Sequence, residues 1–301
     1  MFNLLNALRH INLKTLVATM TICMASGIPH SYADFDPVND DTDIFLANPN
    51  VISNRPNVLI YIDNTANWNT AFANEKSALV TVVQNLSDAF NVGLVTYPET
   101  GGGNDNIDGA TLRFAVRQMI GGNKTALASL VNGWDSNDDS GNNSTLSEGM
   151  VEIYRYFNGA ESYSSFGKAK ADFSGNLLAN GYGWSHGPDS FDHEASAAGL
   201  GDYALEANPD SSSVFNSPIA DACQKNFVIY LSNGPANENS SSLSNAEDEL
   251  AAQGYDTSST ISLSRSGAEG SWADEWAQFM QNSDVSATTG NQSVTFYTME
   301  V

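Results

Sequence analysis

The chain has 301 residues, enough to bury a full core in one large domain or two smaller ones, and a formal charge of −23 at neutral pH. So acidic a surface is repelled by phosphate backbones and anionic membranes, which excludes nucleic acid as a natural partner. It holds two cysteines, of which one lies in a segment expected to be removed, so no internal disulfide forms and packing must hold the fold.

Residues 1–33 read as a secretory signal. Arg9 and Lys14 precede the apolar run 16–28, and Ser31-Tyr32-Ala33 supplies the small residues at −3 and −1 that cleavage before Asp34 requires. The run is too short to span a bilayer, so no membrane insertion is expected after cleavage. Losing Arg9 and Lys14 takes the charge from −23 to −25 and leaves Cys223 as the remaining cysteine. Residues 34–56, with Asp36, Asp40, Asp41 and Asp43, form an acidic, extended lead-in.

Asn57–Ile62 is an unbroken apolar run, the pattern of a strand buried on both faces in the middle of a parallel sheet. It stops on Asp63 and so delivers Asp63, Thr65 and Asn67 to the sheet's carboxyl edge, where open α/β sheets bind ligands. Three oxygen-bearing side chains at alternate positions of one short loop suit a cation. Leu79, Val82, Val83, Leu86 and Phe90 recur at helical spacing and predict a helix over 74–90. A second buried strand follows at 92–97, then a glycine-rich loop at 101–109 and an antiparallel edge strand at 111–119.

After the polar stretch 135–143, Leu146, Met150, Ile153, Tyr154 and Phe157 mark another amphipathic helix. Residues 158–222 carry Gly, Ser, Asn and unpatterned aromatics and read as an irregular insertion. The strand-helix rhythm resumes with a strand at 227–231, helices at 243–253 and 271–282, and a strand at 294–301. The expected fold is therefore α/β, a doubly wound, mostly parallel, Rossmann-like sheet with helices on both faces, spanning 57–301. A further helix and strand would complete such a sheet, so the chain is expected to be the amino-terminal part of a longer protein.

Other motifs fail on context. Gly183-Trp184-Ser185-His186-Gly187 matches a nucleophile elbow in letters, but Asn180-Gly181 and Gly187-Pro188 replace the strand and helix that a secreted serine hydrolase using Ser185 would need. Asp135 to Asp139 opens like a calcium loop, yet Ser140 and Leu146 stand where Gly and Glu belong.

Four buried strands, the first ending in Asp63-x-Thr65-x-Asn67, resemble the von Willebrand factor A domain, whose adhesion site draws a metal from three loops at the sheet's carboxyl edge. The resemblance carries that site onto Asp63, Thr65 and Asn67, onto Thr145 in Ser-Thr-Leu-Ser-Glu, and onto Asn233 in Leu-Ser-Asn-Gly; Asn67 and Asn233 depart from the family's Ser and Asp. Segments 63–69, 223–234, 272–284 and 294–301 are similar to PilY/PilC-type proteins of type IV pilus tips.

What the resemblance implies is a non-catalytic adhesion and assembly module holding Mg²⁺, Mn²⁺ or Ca²⁺. Its partners would be minor pilins or surface protein ligands, with a carboxy-terminal propeller region in the same protein. The location implied is the periplasm, outer membrane surface or pilus tip of a Gram-negative bacterium. Asn233 in place of Asp removes a carboxylate worth up to about 4 kcal/mol at 4 Å, so the cation should bind weakly. Each residue also has an ordinary role: Asp63-Asn64 can end a strand, Thr145 and Glu148 match a capping box, and Asn233-Gly234 is a turn pair. On that alternative the domain is a structural spacer with an inert site.

Overall fold

The computed structural model describes residues 55–65, 68–98, 109–136, 139–141, 145–163, 214–232, 234, 236, 238–262 and 271–300. The expected signal, the lead-in through residue 54 and most of the insertion, with Ser185 in it, lie outside them. In chain order the elements are β1 (Asn57–Ile62), α1 (Thr70–Asn85), β2 (Asn91–Thr96), β3 (Thr111–Gln118), α2 (Gly121–Gly133), α3 (Leu146–Asn158), β4 (Asn226–Ser232), α4 (Ser240–Ala252), α5 (Ala273–Asn282) and β5 (Val294–Glu300).

The five strands form one sheet in the order β3-β2-β1-β4-β5. β1 pairs in parallel with β2 and β4, β4 in parallel with β5, and β3 runs antiparallel at the edge beside β2, as expected. The strand register is pinned at the amino ends by buried amides. Asn57 donates through Nδ2 to Asn226 Oδ1 at 2.9 Å, while its Oδ1 accepts from Asn91 Nδ2 at 2.9 Å and Gln224 Nε2 at 3.0 Å. Gly93 sits where the β2–β3 register shifts, and a Cβ there would come within 2.6 Å of Val116 Cγ2.

Neighbouring residues of β1 serve two different cores. Leu59 and Tyr61 pack with Met150, Ile153 and Phe157 of α3, Leu250 of α4 and Trp276 of α5. Ile60 and Ile62 pack with Phe72, Leu79 and Val83 of α1 and Leu127 and Val131 of α2. This is why β1 reads as uniformly apolar.

Several boundaries differ from expectation. α1 starts at Thr70 because Asn69 Oδ1 caps it, accepting from Ala71 and Phe72 backbone N–H. α2 was not expected, since glycines at 121, 122 and 133 and a narrow Leu127/Val131 stripe disguise it. The expectation of four buried strands is corrected at β5: Tyr297 is 53 % and Met299 45 % exposed, because no described element covers that part of the edge strand.

α3 ends on Gly159, whose left-handed backbone (φ 72°) lets its N–H reach the carbonyls of Arg155 and Tyr156. Within α3, Gly149 lies against β1: a Cβ built there falls 2.2 Å from Tyr61 Oη and 3.0 Å from Cζ. The helix-propensity gain of Gly→Ala, about 1 kcal/mol, is smaller than overpacking costs of about 1–3 kcal/mol. Gly149→Ala should therefore lower stability by about 1–2 kcal/mol in urea unfolding, and adding Tyr61→Phe should recover part of the loss.

Candidate functional site

The first loop leaves β1 with the ladder still formed, since Asp63 N–H donates to Leu231 O at 3.0 Å. Asp63 is buried, and its Oδ1 accepts from both Thr65 N–H at 3.0 Å and Thr65 Oγ1–H at 2.6 Å. The Thr65 proton is thus spent on Asp63, and the hydroxyl's lone pairs remain available. Asn64 anchors the loop from beneath: its Nδ2 donates to Tyr97 O at 3.0 Å and Asp139 O at 2.8 Å, and its own carbonyl accepts from Gly141 N–H. Asp139 pairs with buried Arg113 at 2.8 Å, and Arg113 stacks 5.1 Å over Trp134.

At the second loop the capping-box alternative is corrected. Thr145 is the N-cap of α3 but makes no side-chain cap bond, and Glu148 Oε1 instead accepts from Tyr163 Oη and Asn245 Nδ2. The reason is competition. Glu238, from the segment between β4 and α4, takes Ser147 N–H at 2.7 Å and Ser147 Oγ–H at 2.9 Å on its Oε1. Thr145 is 1 % exposed, and its Oγ1 has no hydrogen-bond partner among the described residues. Sequence reasoning missed Glu238 because it lies in a short polar stretch, and nothing local announces its reach to another loop.

At the third loop Ser232, the last residue of β4, donates through Oγ to Gly234 O at 2.6 Å. Of the five expected site residues, Asn67 and Asn233 lie outside the described residues. Asp63 and Thr65 are brought into direct contact, whereas Thr145 makes no hydrogen bond to either through its side chain, and the Glu238–Ser147 link ties the segment after β4 to the start of α3.

Tyr61, Tyr97 and Tyr230 floor this edge, with Tyr61 ring centroids 4.9 and 5.1 Å from the other two and a 2.9 Å Tyr97–Tyr230 hydroxyl contact. Burial pushes all three phenols above their ordinary value, and the negative charge of Asp63 adds to it. The floor is therefore a low-dielectric surface beneath an acidic residue, where a cation's attraction is strengthened. Asn64 Oδ1, Thr145 Oγ1, Glu238 Oε2 and both oxygens of Glu75 are buried acceptors lacking partners among the described residues. These are hard oxygen donors, the kind that suit Mg²⁺, Mn²⁺ or Ca²⁺. No group of three His, Cys, Asp or Glu placed to hold a metal occurs among the described residues, so any site here mixes carboxylate with hydroxyl and amide oxygens.

Burial, then the Asp63 charge, raises the Glu75 carboxyl from 4.5 to about 7. A raised acid disfavours its charged form, so its penalty is absent below pH 4.5 and complete above about 7. In metal-free protein, Glu75→Gln should stabilise the fold by on the order of 2 kcal/mol near pH 8 and leave it unchanged near pH 4, read by thermal melting.

No family model and no curated protein matches the chain. Among solved structures it is similar to proximal thread matrix protein 1 from the mussel byssus, at 8 % identity and a TM-score of 0.31. The match covers 67 % of this chain and spans 36 % of that one. No described helix is long and apolar enough to cross a membrane.

Proposed function

We propose that this chain is a non-catalytic adhesion and assembly module, a doubly wound von Willebrand A-like domain of an exported type IV pilus tip protein. It binds minor pilins or a surface protein through the carboxyl edge of its sheet, around a weakly held divalent cation. The observation that carries the reading is the pair of hydroxyls at that edge: Thr65 Oγ1 bonded to Asp63, and Thr145 Oγ1 buried with no partner among the described residues. A buried hydroxyl without a partner costs about 1–3 kcal/mol, a cost that a ligand at the site removes. The antiparallel edge strand and the two cores sharing β1 support the fold half of the reading.

A second reading, an inert spacer, is favoured by the lack of a three-carboxylate cluster among the described residues. Titration calorimetry with Mg²⁺, Mn²⁺ and Ca²⁺ separates the two. The adhesion reading expects saturable heat at millimolar metal, lost in Asp63→Asn and weakened severalfold or more in Thr145→Val, and capture of a minor pilin that a chelator reverses. Absence of heat together with chelator-insensitive capture would establish the spacer.

A further inference from the structure

The amino edge of the sheet, opposite the loops after β1 and β4, holds a cavity of about 310 Å³ between the end of β3 and the segment leading into β4. Asn91 and Gln224 of the Asn57 amide set line it, and so do Arg55 and Arg117. No Asp or Glu lines it among the described residues. In a chain with 35 acidic residues against 12 Lys and Arg, two arginines around one cavity without an acid reverse the prevailing charge. The volume lies at the small end of ligand pockets.

The cavity's amides are already committed to the fold. Gln224 Nε2 donates to Arg55 O at 2.9 Å and to Asn57 Oδ1 at 3.0 Å, while its Oε1 accepts from Ala220 N–H at 2.8 Å. Asn91 Nδ2 donates to Asn57 Oδ1, and Gln118 Nε2 to Asp88 O at 3.0 Å. Recognition therefore falls to the guanidinium groups. Arg55 donates through Nε to Asp88 O at 3.0 Å; Arg117 donates through Nε to Ala115 O at 3.3 Å and stacks 5.2 Å over the Phe114 ring. Those bonds fix where each planar fork lies, and a guanidinium has five N–H donors, more than they consume. Arg117 is 2 % exposed, and a cation held that far from water favours an anion beside it.

We propose that this cavity binds a small carboxylate, gripped by the Arg117 fork with half-buried Arg55 as the second cation. Two coplanar oxygens match a guanidinium fork. A monoanion suits the place better than a dianion such as phosphate, because a chain of charge −23 repels each added negative charge. The ligand is a short carboxylic acid or the carboxy-terminal residue of a peptide, and its binding is independent of any cation at the carboxyl edge.

The test is nuclear magnetic resonance on the isotope-labelled chain, titrated with sodium acetate at constant ionic strength with chelator present. The Arg117 Nε–H signal and the side-chain amide signals of Gln224 and Asn91 should shift together and saturate. Phosphate and chloride at the same ionic strength should leave them in place. Arg55→Gln should raise the acetate dissociation constant about tenfold or more, the loss expected for hydrogen bonds to a charged group, with the melting temperature nearly unchanged. Asp63→Asn should bind acetate as the unsubstituted chain does, which separates this site from the cation reading. N-acetylglycylglycine binding more tightly than acetate would assign a peptide terminus, and equal affinity a short acid. Absence of saturable acetate shifts, equal shifts with phosphate, or unchanged affinity in Arg55→Gln would each overturn the proposal.

Discussion

The parallel pairing of β1 with both β2 and β4 is the constraint on which the remaining architecture depends. Residues 57–62 lie level with 91–96 on one side and 226–231 on the other. Parallel ladders bring all carboxyl ends to the same edge, so the loops after β1 and β4 have to emerge side by side. The amide set of Asn57, Asn91, Asn226 and Gln224 reinforces this from the opposite end, because slipping any strand by one residue would strand a buried amide without its partners.

Upon that alignment rests an uneven distribution of polar groups. The buried acids of α3 each have partners on one oxygen: Glu152 Oε1 accepts from Ser162 Oγ and Tyr163 N–H, and Glu148 Oε1 from Tyr163 and Asn245, while Glu148 Oε2 has none among the described residues. Arg113 and Asp139 pair under the first loop. At the carboxyl edge the surplus is of acceptors, set over three tyrosines whose phenols remain protonated. Native interiors rarely leave such groups unpartnered.

The far side of the sheet is less finished. β4 alternates between buried and half-buried residues, with Phe227, Ile229 and Leu231 in the half-buried set, and beside them Tyr297 and Met299 of β5 are exposed. Tyr297 stacks only loosely on Phe227, with centroids 6.2 Å apart. Apolar residues such as Tyr297 and Met299 look the same in sequence whether or not a neighbouring element covers them, which is why β5 reads as buried although, among its described side chains, only that of its first residue, Val294, is fully so.

From sequence alone, periodicity determined the five strands, their approximate bounds and the antiparallel sense of β3, because each depends on local residue pattern and loop length. Asp63 and Thr65 were legible for the same reason: they follow a buried run in one loop, and their mutual hydrogen bond spans two residues. α2 escaped because its apolar stripe is too narrow to stand out between glycines. Tertiary structure alone decided the partner of the α3 N-terminus. The hydroxyl of Thr145 and the carboxylate of Glu238 compete for one backbone N–H across 91 residues of sequence, and only the aligned sheet edge brings them close enough to compete.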